Sequence, residues 1–540
     1  MNDPRLHDLI NEMTAVSDEM RLIPRYGKRD IEIKCNTISR MLISWSRTFQ
    51  EALMTHQKGK PKTAPEKAEK VIVLRHDGKS IRAISKIVGI STTTVQKILR
   101  ESATAHEEKA ITNRCPRPVD VKLTEEQERA LDAMKKGDNV FLTGGAGTGK
   151  SFVVNKFITW AEKNQKDILV AAPTGIAAKN IDGCTLHRAF RIKIGIVERF
   201  HGKVSAECKR ILNTSSILVI DEISMCRYDL FSFVMDLIQH EAGNGHHIQV
   251  IVSGDFCQLP PVLTPKDKKL FKKLYPCCSE NAWAFETPEW KSCQFRTYYL
   301  TRIIRQGNPD FIAALNKIRV GDQDHTGIDF INAHHVKSKI DNAIKVCSTN
   351  NTAKGINDDM LRQLSGDSKT FRLKKCGNVT KDDITLEMEV TLKPGARVII
   401  LANDPDANRY QNGTFATVLS LSDQGACVET DNHKKVMIMN REFDVFGYKI
   451  LKDKLIRTRI GTYTQIPLKL GWAITIHKSQ GQTYTAANLM LDNLWAPGQM
   501  YVALSRLTSI SSMYLYNDIK KNNLHTSKEV LRFYDELSAS

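Results

Sequence analysis

The sequence predicts an α/β protein built on parallel sheets, preceded by an all-α region. Three observations carry this. Short runs of Val, Ile and Leu (Val140–Leu142, Ile168–Ala171, Ile217–Ile220, Ile248–Val252) alternate with helical patterns such as Phe152–Lys163. The runs are apolar throughout, as in strands buried on both faces. A glycine-rich octapeptide, 144–151, joins the first run to the first of these helices. The same texture returns at Ala343–Val346 with Asn350–Leu364 after it, and at Asn488–Leu491 followed by Gln499–Ser505, which implies a second α/β domain. Between them, 370–465 is dense in strand formers and in Gly, Asn and Asp breaks, and is expected to be a β-rich insertion. The 540 residues leave room for about three to five domains.

Residues 1–60 hold two helical patterns, roughly Leu6–Leu22 and Asn36–His56, the second with Ile38, Leu42, Trp45, Phe49 and Leu53 at spacings of three and four. No chemistry is visible there; a helical module or an oligomerisation surface is expected. A Lys- and Pro-bearing linker leads into 61–110. There a stretch Glu66–Arg75 is followed by the break Asp77-Gly78, a helix capped by Ser80 and holding Ile81, Ile84 and Ile87, a turn at Gly89, and a helix capped by Ser91 and holding Val95, Ile98 and Leu99. Three short helices with a Gly turn between the last two form a helix-turn-helix pattern. Residues 57–100 carry 11 Lys/Arg against 3 Asp/Glu. Thr92, Thr93, Gln96, Lys97 and Arg100 are left facing outward; Thr and Gln can read base edges, and Lys97 and Arg100 can grip phosphates. Residues 79–99 are similar to the helix-turn-helix of resolvase and invertase recombinases; a protein-docking module is the alternative.

The octapeptide Gly144-Gly145-Ala146-Gly147-Thr148-Gly149-Lys150-Ser151 is a full G-x-x-x-x-G-K-S in its required strand-to-helix context. Glycines let backbone N–H groups wrap phosphates, and the helix N-terminus adds partial positive charge. Lys150 would reach the β- and γ-phosphates of ATP, and Ser151 would ligate Mg²⁺. The run ending in Asp221-Glu222 supplies a carboxylate for the ion, Asp221, and one to take a proton from the attacking water, Glu222. Alone, such a pair is an ordinary strand end; after a phosphate loop it completes a hydrolysis site. A third strand ends in Gly254-Asp255-Phe256-Cys257-Gln258, where Gln258 could bond the γ-phosphate or the lytic water.

Composition bounds the partners. Lys and Arg number 78 against 60 Asp and Glu, a net +18, which favours polyanions through counterion release. No apolar run approaches the roughly 18–20 residues that cross a bilayer, and no secretory or transit signal is visible, so an intracellular, membrane-free protein is expected. The 12 cysteines are scattered without a CxxC pair, as in a reducing compartment.

In order and wording these motifs resemble the Pif/RecD-like branch of superfamily one DNA helicases, closer to the Pif side. Further matches are Leu123-Thr124-Glu125-Glu126-Gln127, Ala172-Pro173-Thr174-Gly175, Thr185-Leu186-His187, Leu300-Thr301-Arg302-Ile303-Ile304-Arg305-Gln306, Thr475-Ile476-His477-Lys478-Ser479-Gln480-Gly481 and Tyr501-Val502-Ala503-Leu504-Ser505-Arg506. The resemblance spans about 120–520 and leaves the first 110 residues outside the pattern. It implies two RecA-like domains, 118–290 with a small wedge between Ile194 and Thr214, and 291–540 with the 370–465 insertion as an SH3-like subdomain. It implies that Gln127 reads adenine, that Arg305 and Arg506 reach from the second domain to the γ-phosphate, and that Pro173, Thr174, His187, Thr475, His477, Lys478 and Ser479 face single-stranded DNA.

The expected activity is an ATP- and Mg²⁺-dependent DNA helicase moving along single-stranded DNA, five-prime to three-prime by resemblance. The helix-turn-helix would bring it to double-stranded DNA. A DNA-bound initiator whose ATPase only switches conformation is the alternative, and an RNA-directed motor a third. Replication or recombination proteins are expected partners, and the location is cytoplasmic, nucleoid-associated or nuclear according to the host.

Overall fold

The structure, a computed structural model, describes Val71, residues 81–98 and residues 122–539, except 194, 203, 243–246, 405–408 and 452. The chain divides into two compact units, Met1–Ala103 and Thr104–Ser540.

In the smaller unit a helix covers Ile81–Val88 and a second covers 92–98. Gly89 turns between them at φ +68°, which an L side chain resists. Ser91 caps the second helix, accepting the Thr94 N–H at 3.0 Å. Val71, Ile84, Val88, Val95 and Ile98 form the core. Ile87, expected inside, is half exposed; Val88, one turn on from Ile84, takes the inward position. Thr92, Thr93, Gln96 and Lys97 are exposed. Residues 1–60, the linker, Leu99 and Arg100 lie outside the described residues, as does all of the Glu66–Arg75 stretch but Val71.

The larger unit opens with a six-stranded parallel sheet: β1 (Val140–Gly144), β2 (Ile168–Ala172), β3 (Cys184–Thr185), β4 (Ile217–Ile220), β5 (Gln249–Ser253) and β6 (Arg296–Leu300), in the order β3-β2-β4-β5-β1-β6. Strands β1, β2, β4 and β5 are wholly buried, as their unbroken apolar runs require. One face packs on helices Glu125–Lys136 and Lys150–Lys163, the other on Ala206–Thr214 and Tyr228–Ala242. The expected boundary at 290 therefore falls short, because β6 completes the sheet. As an edge strand it is largely exposed until Leu300, and Arg-Thr-Tyr-Tyr-Leu lacks a buried strand's apolar run.

A second parallel sheet orders Ala473–Thr475, Ile344–Cys347, Ala487–Met490 and Met513–Leu515. Helices Pro309–Arg319, Thr326–His334 and Gln499–Leu504 share its core. Interrupting it is an antiparallel five-stranded sheet, Lys435–Met439, Gly425–Thr430, Phe415–Leu421, Arg397–Ile400 and Leu468–Leu470, with its own core. A long hairpin, Arg441–Leu451 with Lys454–Gln465, leaves this insertion and leans on the first sheet's domain. Its Tyr448 enters that domain's core, and the hydroxyl accepts the Val170 N–H at 3.1 Å. A buried Arg188–Asp383 ion pair makes a second bridge between the two.

The last helix, Lys528–Ala539, corrects the assignment of all of 291–540 to the second domain. Val530, Phe533, Tyr534 and Leu537 recur at helical spacing and pack on the first domain's core, with Phe533 stacked on Phe285 at 4.3 Å. Among the described residues no helix is long and apolar enough to cross a membrane.

Candidate functional site

Parallel pairing puts the C-terminal ends of β1, β4 and β5 along one edge, and each delivers a candidate group there. After β1 the loop passes through left-handed conformations at Gly147 (φ +81°) and Gly149 (φ +86°). A Cβ on Gly147 would lie 2.6 Å from Arg305 Cβ, and one on Gly149 2.6 Å from Gln127 Nε2, so only glycine fits either position. Helix Lys150–Lys163 starts on this loop and aims its N-terminal N–H groups into it. Lys150 Nζ donates to the carbonyls of Gly144 (2.8 Å) and Gly145 (3.0 Å). Burial pulls its pKa down, against the opposing pull of Asp255, Glu222 and Asp221.

At the end of β4, Asp221 Oδ2 accepts the Ser151 hydroxyl at 3.2 Å. Burial raises the Asp221 pKa, while the hydrogen bond from Ser151 and the nearby Lys150 charge work against the rise. Glu222 follows in a left-handed conformation, φ +52°, rare for a residue with a side chain. Burial first, then the Asp221 charge, raise its pKa to about 7. At the end of β5, Gln258 is held by its Nε2 on Asp255 Oδ2 at 3.3 Å.

Gln127, Lys150, Glu222, Gln258, Arg305 and Arg506 line one cleft of about 720 Å³. Gln127 also ties the loop to the preceding helix: Oε1 accepts the Thr124 N–H, and Nε2 donates to the Thr148 carbonyl at 3.0 Å. Arg506, on the turn after helix Gln499–Leu504, is the second domain's contribution. Its Nε donates to the Val502 carbonyl (2.9 Å) and Nη2 to Ser505 Oγ (3.0 Å). Arg305 does not come from the second domain as expected. It lies five residues beyond β6 on the segment joining the two sheets, next to Ile304, whose N–H donates to the Gly147 carbonyl at 2.9 Å. Its Nη1 reaches the Ser505 carbonyl at 3.0 Å, which joins the loop to the second domain. Burial lowers both arginine pKa values, that of Arg506 to about 10 with Arg305 as the next cause.

A glycine cradle of N–H donors, a buried lysine and two arginines in one cleft fit a triphosphate. Among the described residues no group of three or more His, Cys, Asp or Glu side chains could hold a metal by itself. Ser151 and Asp221 fit Mg²⁺ as a partial set completed by phosphate oxygens and water, which is how that ion is commonly held. With Glu222 as base, the sign of the pH dependence follows. A carboxylate titrating near 7 is neutral below that value and cannot take a proton. kcat/KM for triphosphate hydrolysis is therefore expected to rise between about pH 6 and pH 8, with an acid limb near 7 in the free enzyme.

Several contacts carried no sequence signal of their own. The Tyr501 hydroxyl accepts the N–H of Ala146 inside the glycine loop at 2.7 Å. Gln480 Nε2 donates to Glu222 Oε2 at 3.3 Å. Behind Gln258, Asp255 is paired with Arg319 (2.7 Å), which lies against the rings of Tyr299 and Tyr534, and Tyr534 bonds Thr143 at 2.8 Å. Tyr501 and Gln480 sat within quoted motifs without a role; Arg319 and Tyr534 sat in none.

The expected strand-facing residues fall into separate places. Pro173 and Thr174 are half-buried where β2 ends, and Thr174 caps helix Gly175–Asn180. His187, its pKa lowered by burial, lines a hollow with Arg188, Lys193, Asn378 and Asp382, and its Nε2 lacks a partner. Thr475 and Lys478 line another cleft with Asn350, Lys354 and Lys469, although Thr475 is buried and caps its own short helix. His477 stacks on the exposed Trp495, a residue the motifs did not single out, at 5.7 Å. Ser479 is a correction. It is fully buried, and its hydroxyl is spent on the Ile476 carbonyl at 2.7 Å, so it shapes the turn and cannot touch a strand.

Residues 122–326 match the family model described as PIF1-like helicase. The ATP-dependent DNA helicase Pif1 of Campylobacter jejuni is 29% identical over 438 residues, covering 75% of this chain and 96% of that protein. The protein of the same name from a Psychrobacter species is 30% identical over 453 residues, 72% of this chain and 67% of that one. Among solved structures, Bacteroides Pif1 in complex with ADP-AlF4 superimposes with a TM-score of 0.69 at 30% identity, over 78% of this chain and 98% of that one. The same protein bound to single-stranded DNA gives a TM-score of 0.57.

Proposed function

The chain belongs to the PIF1-like helicase family, and we propose that it is an ATP-dependent DNA helicase that moves along single-stranded DNA, five-prime to three-prime, and parts the duplex ahead of it. The observation that carries this is the cleft itself: Lys150, Glu222 and Gln258 come from one sheet and Arg506 from beside the other. A triphosphate between them ties the two halves together, and its cleavage releases them, which turns chemistry into displacement.

Each residue has a defined task. Loop N–H groups and Lys150 hold the β- and γ-phosphates; Gln127 borders the loop where a base can lie. Glu222 takes the proton of the attacking water, and Gln258 orients that water. Arg305 and Arg506 oppose the charge that builds on the transferring group. Ser151 and Asp221 would hold Mg²⁺, which would supply charge neutralisation on the phosphates. Pro173, Thr174, His187, Thr475, His477 and Lys478 contribute to the surface a single strand follows, as hydroxyls, cations and rings that contact any sequence. The 370–465 insertion, leaning on the first domain through Tyr448 and Arg188–Asp383, serves as an SH3-like cover over that path. The 61–110 region acts as a helix-turn-helix that recruits the enzyme to double-stranded DNA, with Thr92, Thr93, Gln96, Lys97 and Arg100 toward it, and the enzyme works wherever its host keeps DNA. The helicase relatives favour unwinding over a purely conformational ATPase.

Strand displacement on a duplex with either a five-prime or a three-prime tail tests this. Displacement from the five-prime tail alone is expected. Lys150→Ala is expected to remove it together with hydrolysis, lowering kcat by about 10²–10³-fold while single-strand binding persists. ATP hydrolysis without displacement on either tail would restore the switch reading.

A further inference from the structure

We propose that helix Pro265–Leu274 is a contact surface for the phosphate backbone of duplex DNA. The inference deepens the helicase reading and rests on it. The helix reads Pro-Lys-Asp-Lys-Lys-Leu-Phe-Lys-Lys-Leu and begins seven residues beyond Gln258. All five lysines, Lys266, Lys268, Lys269, Lys272 and Lys273, are exposed. Among the described residues none of the five is in an ion pair. The single acid, Asp267, is engaged by the Thr264 cap, whose hydroxyl donates to it at 2.6 Å. Five lysines against one aspartate leave this helix with a surplus of four positive charges.

Its placement is fixed. Phe271 and Tyr275 are buried in a small cluster with Ile196, Tyr228, Leu263 and Ala282, and the Tyr275 hydroxyl donates to the Val197 carbonyl at 2.7 Å. With Phe271 inward, the 100° step per residue puts Lys266, Lys269, Lys272 and Lys273 on the opposite half of the helix and Lys268 on its flank. From Lys266 to Lys273 the axis rises about 10 Å, and B-DNA carries a charge about every 1.7 Å of its own axis, so several phosphates come within reach at once. The neighbouring segment adds to the field through Arg199, which is exposed.

Two points choose a duplex over the tracked single strand. None of the five lysines lines the hollows that contain His187, Thr475 or Lys478. The helix is also held against Ile196 and Val197, in the stretch that the resemblance assigns to a wedge, and a wedge would face the duplex. Lysines, as flexible point charges, suit phosphate contact without base readout.

The test uses the full chain with all five lysines changed to Gln (K266Q, K268Q, K269Q, K272Q, K273Q) and a second variant with all five changed to Arg. Affinity for a five-prime-tailed DNA duplex and for the tail strand alone is measured by anisotropy across a salt series. The Gln variant is expected to flatten the slope of log K against log salt on the tailed duplex by about 2–4, since each phosphate contact contributes about 0.9. Its slope on the single strand and its single-strand-stimulated ATPase should stay unchanged, and the Arg variant should retain the parent slope. An unchanged slope on the tailed duplex overturns the proposal, as an acidic protein partner would require. An equal loss on both substrates overturns it too, because the helix would then grip the tracked strand. The helicase reading fails separately, through absent displacement by the parent enzyme.

Discussion

Arg506→Ala is expected to lower kcat for DNA-stimulated ATP hydrolysis by about 10³-fold or more and to abolish strand displacement. The expectation rests on how the guanidinium is kept. It is fully buried, beside the like charge of Arg305, and its fixed partners are neutral: the Val502 and Gln482 carbonyls and the Ser505 hydroxyl. Burial and Arg305 depress its pKa to about 10, which still leaves it protonated at neutral pH. A buried cation with no tight carboxylate partner gains most when an anion enters the cleft, and most of all when charge grows on the group being transferred. Affinity for ADP, which lacks that group, should change little. Arg506→Lys keeps the charge but loses the planar fork, so only partial activity should return. A kcat within threefold of the parent would remove Arg506 from the reaction; an equal loss of ADP affinity would point to a damaged fold.

Glu222→Gln should cost about 10²–10⁴-fold in kcat while ATP and single-stranded DNA still bind. The two side chains have the same shape, so the buried site and the left-handed turn persist and only the capacity to take a proton is lost. Gln480, which donates to Glu222, can rotate its amide to meet either side chain. The variant should also lose the acid limb near pH 7. An acid limb that survives the substitution assigns the base to another group. The contact with Gln480 adds a route between sites, because Gln480 lies two residues from Lys478, in the cleft proposed for the strand.

Much of the nucleotide half was legible in the sequence because its determinants are local. The glycine loop, its strand and its helix are contiguous, Asp221 and Glu222 follow directly on an unbroken apolar strand, and Gln258 lies five residues beyond the next strand of the same parallel sheet. Buried parallel strands have only one readable pattern, and their C-terminal ends meet by topology alone. The edge strand β6 escaped notice because half exposure mixes polar residues into it. Placing Arg305 in the second domain followed from that miss, since the residue hangs on the segment leaving β6. Ser479 resembled a strand contact by motif, yet whether a hydroxyl faces solvent or its own turn depends on what packs over it.

The residues by themselves determined the chemistry: a phosphate cradle, an ion site, a base and a basic chain suited to nucleic acid. Hydrogen-bond geometry within one loop and the period of one strand are short-range properties, written in neighbouring positions. Only the tertiary structure decided which distant groups complete the site. Tyr501 meets Ala146 across 355 positions, Gln480 meets Glu222 across 258, and Tyr534 on the last helix bonds Thr143 across 391. Such contacts arise from the packing of separately stable layers, and no spacing within the chain encodes the angle at which those layers meet.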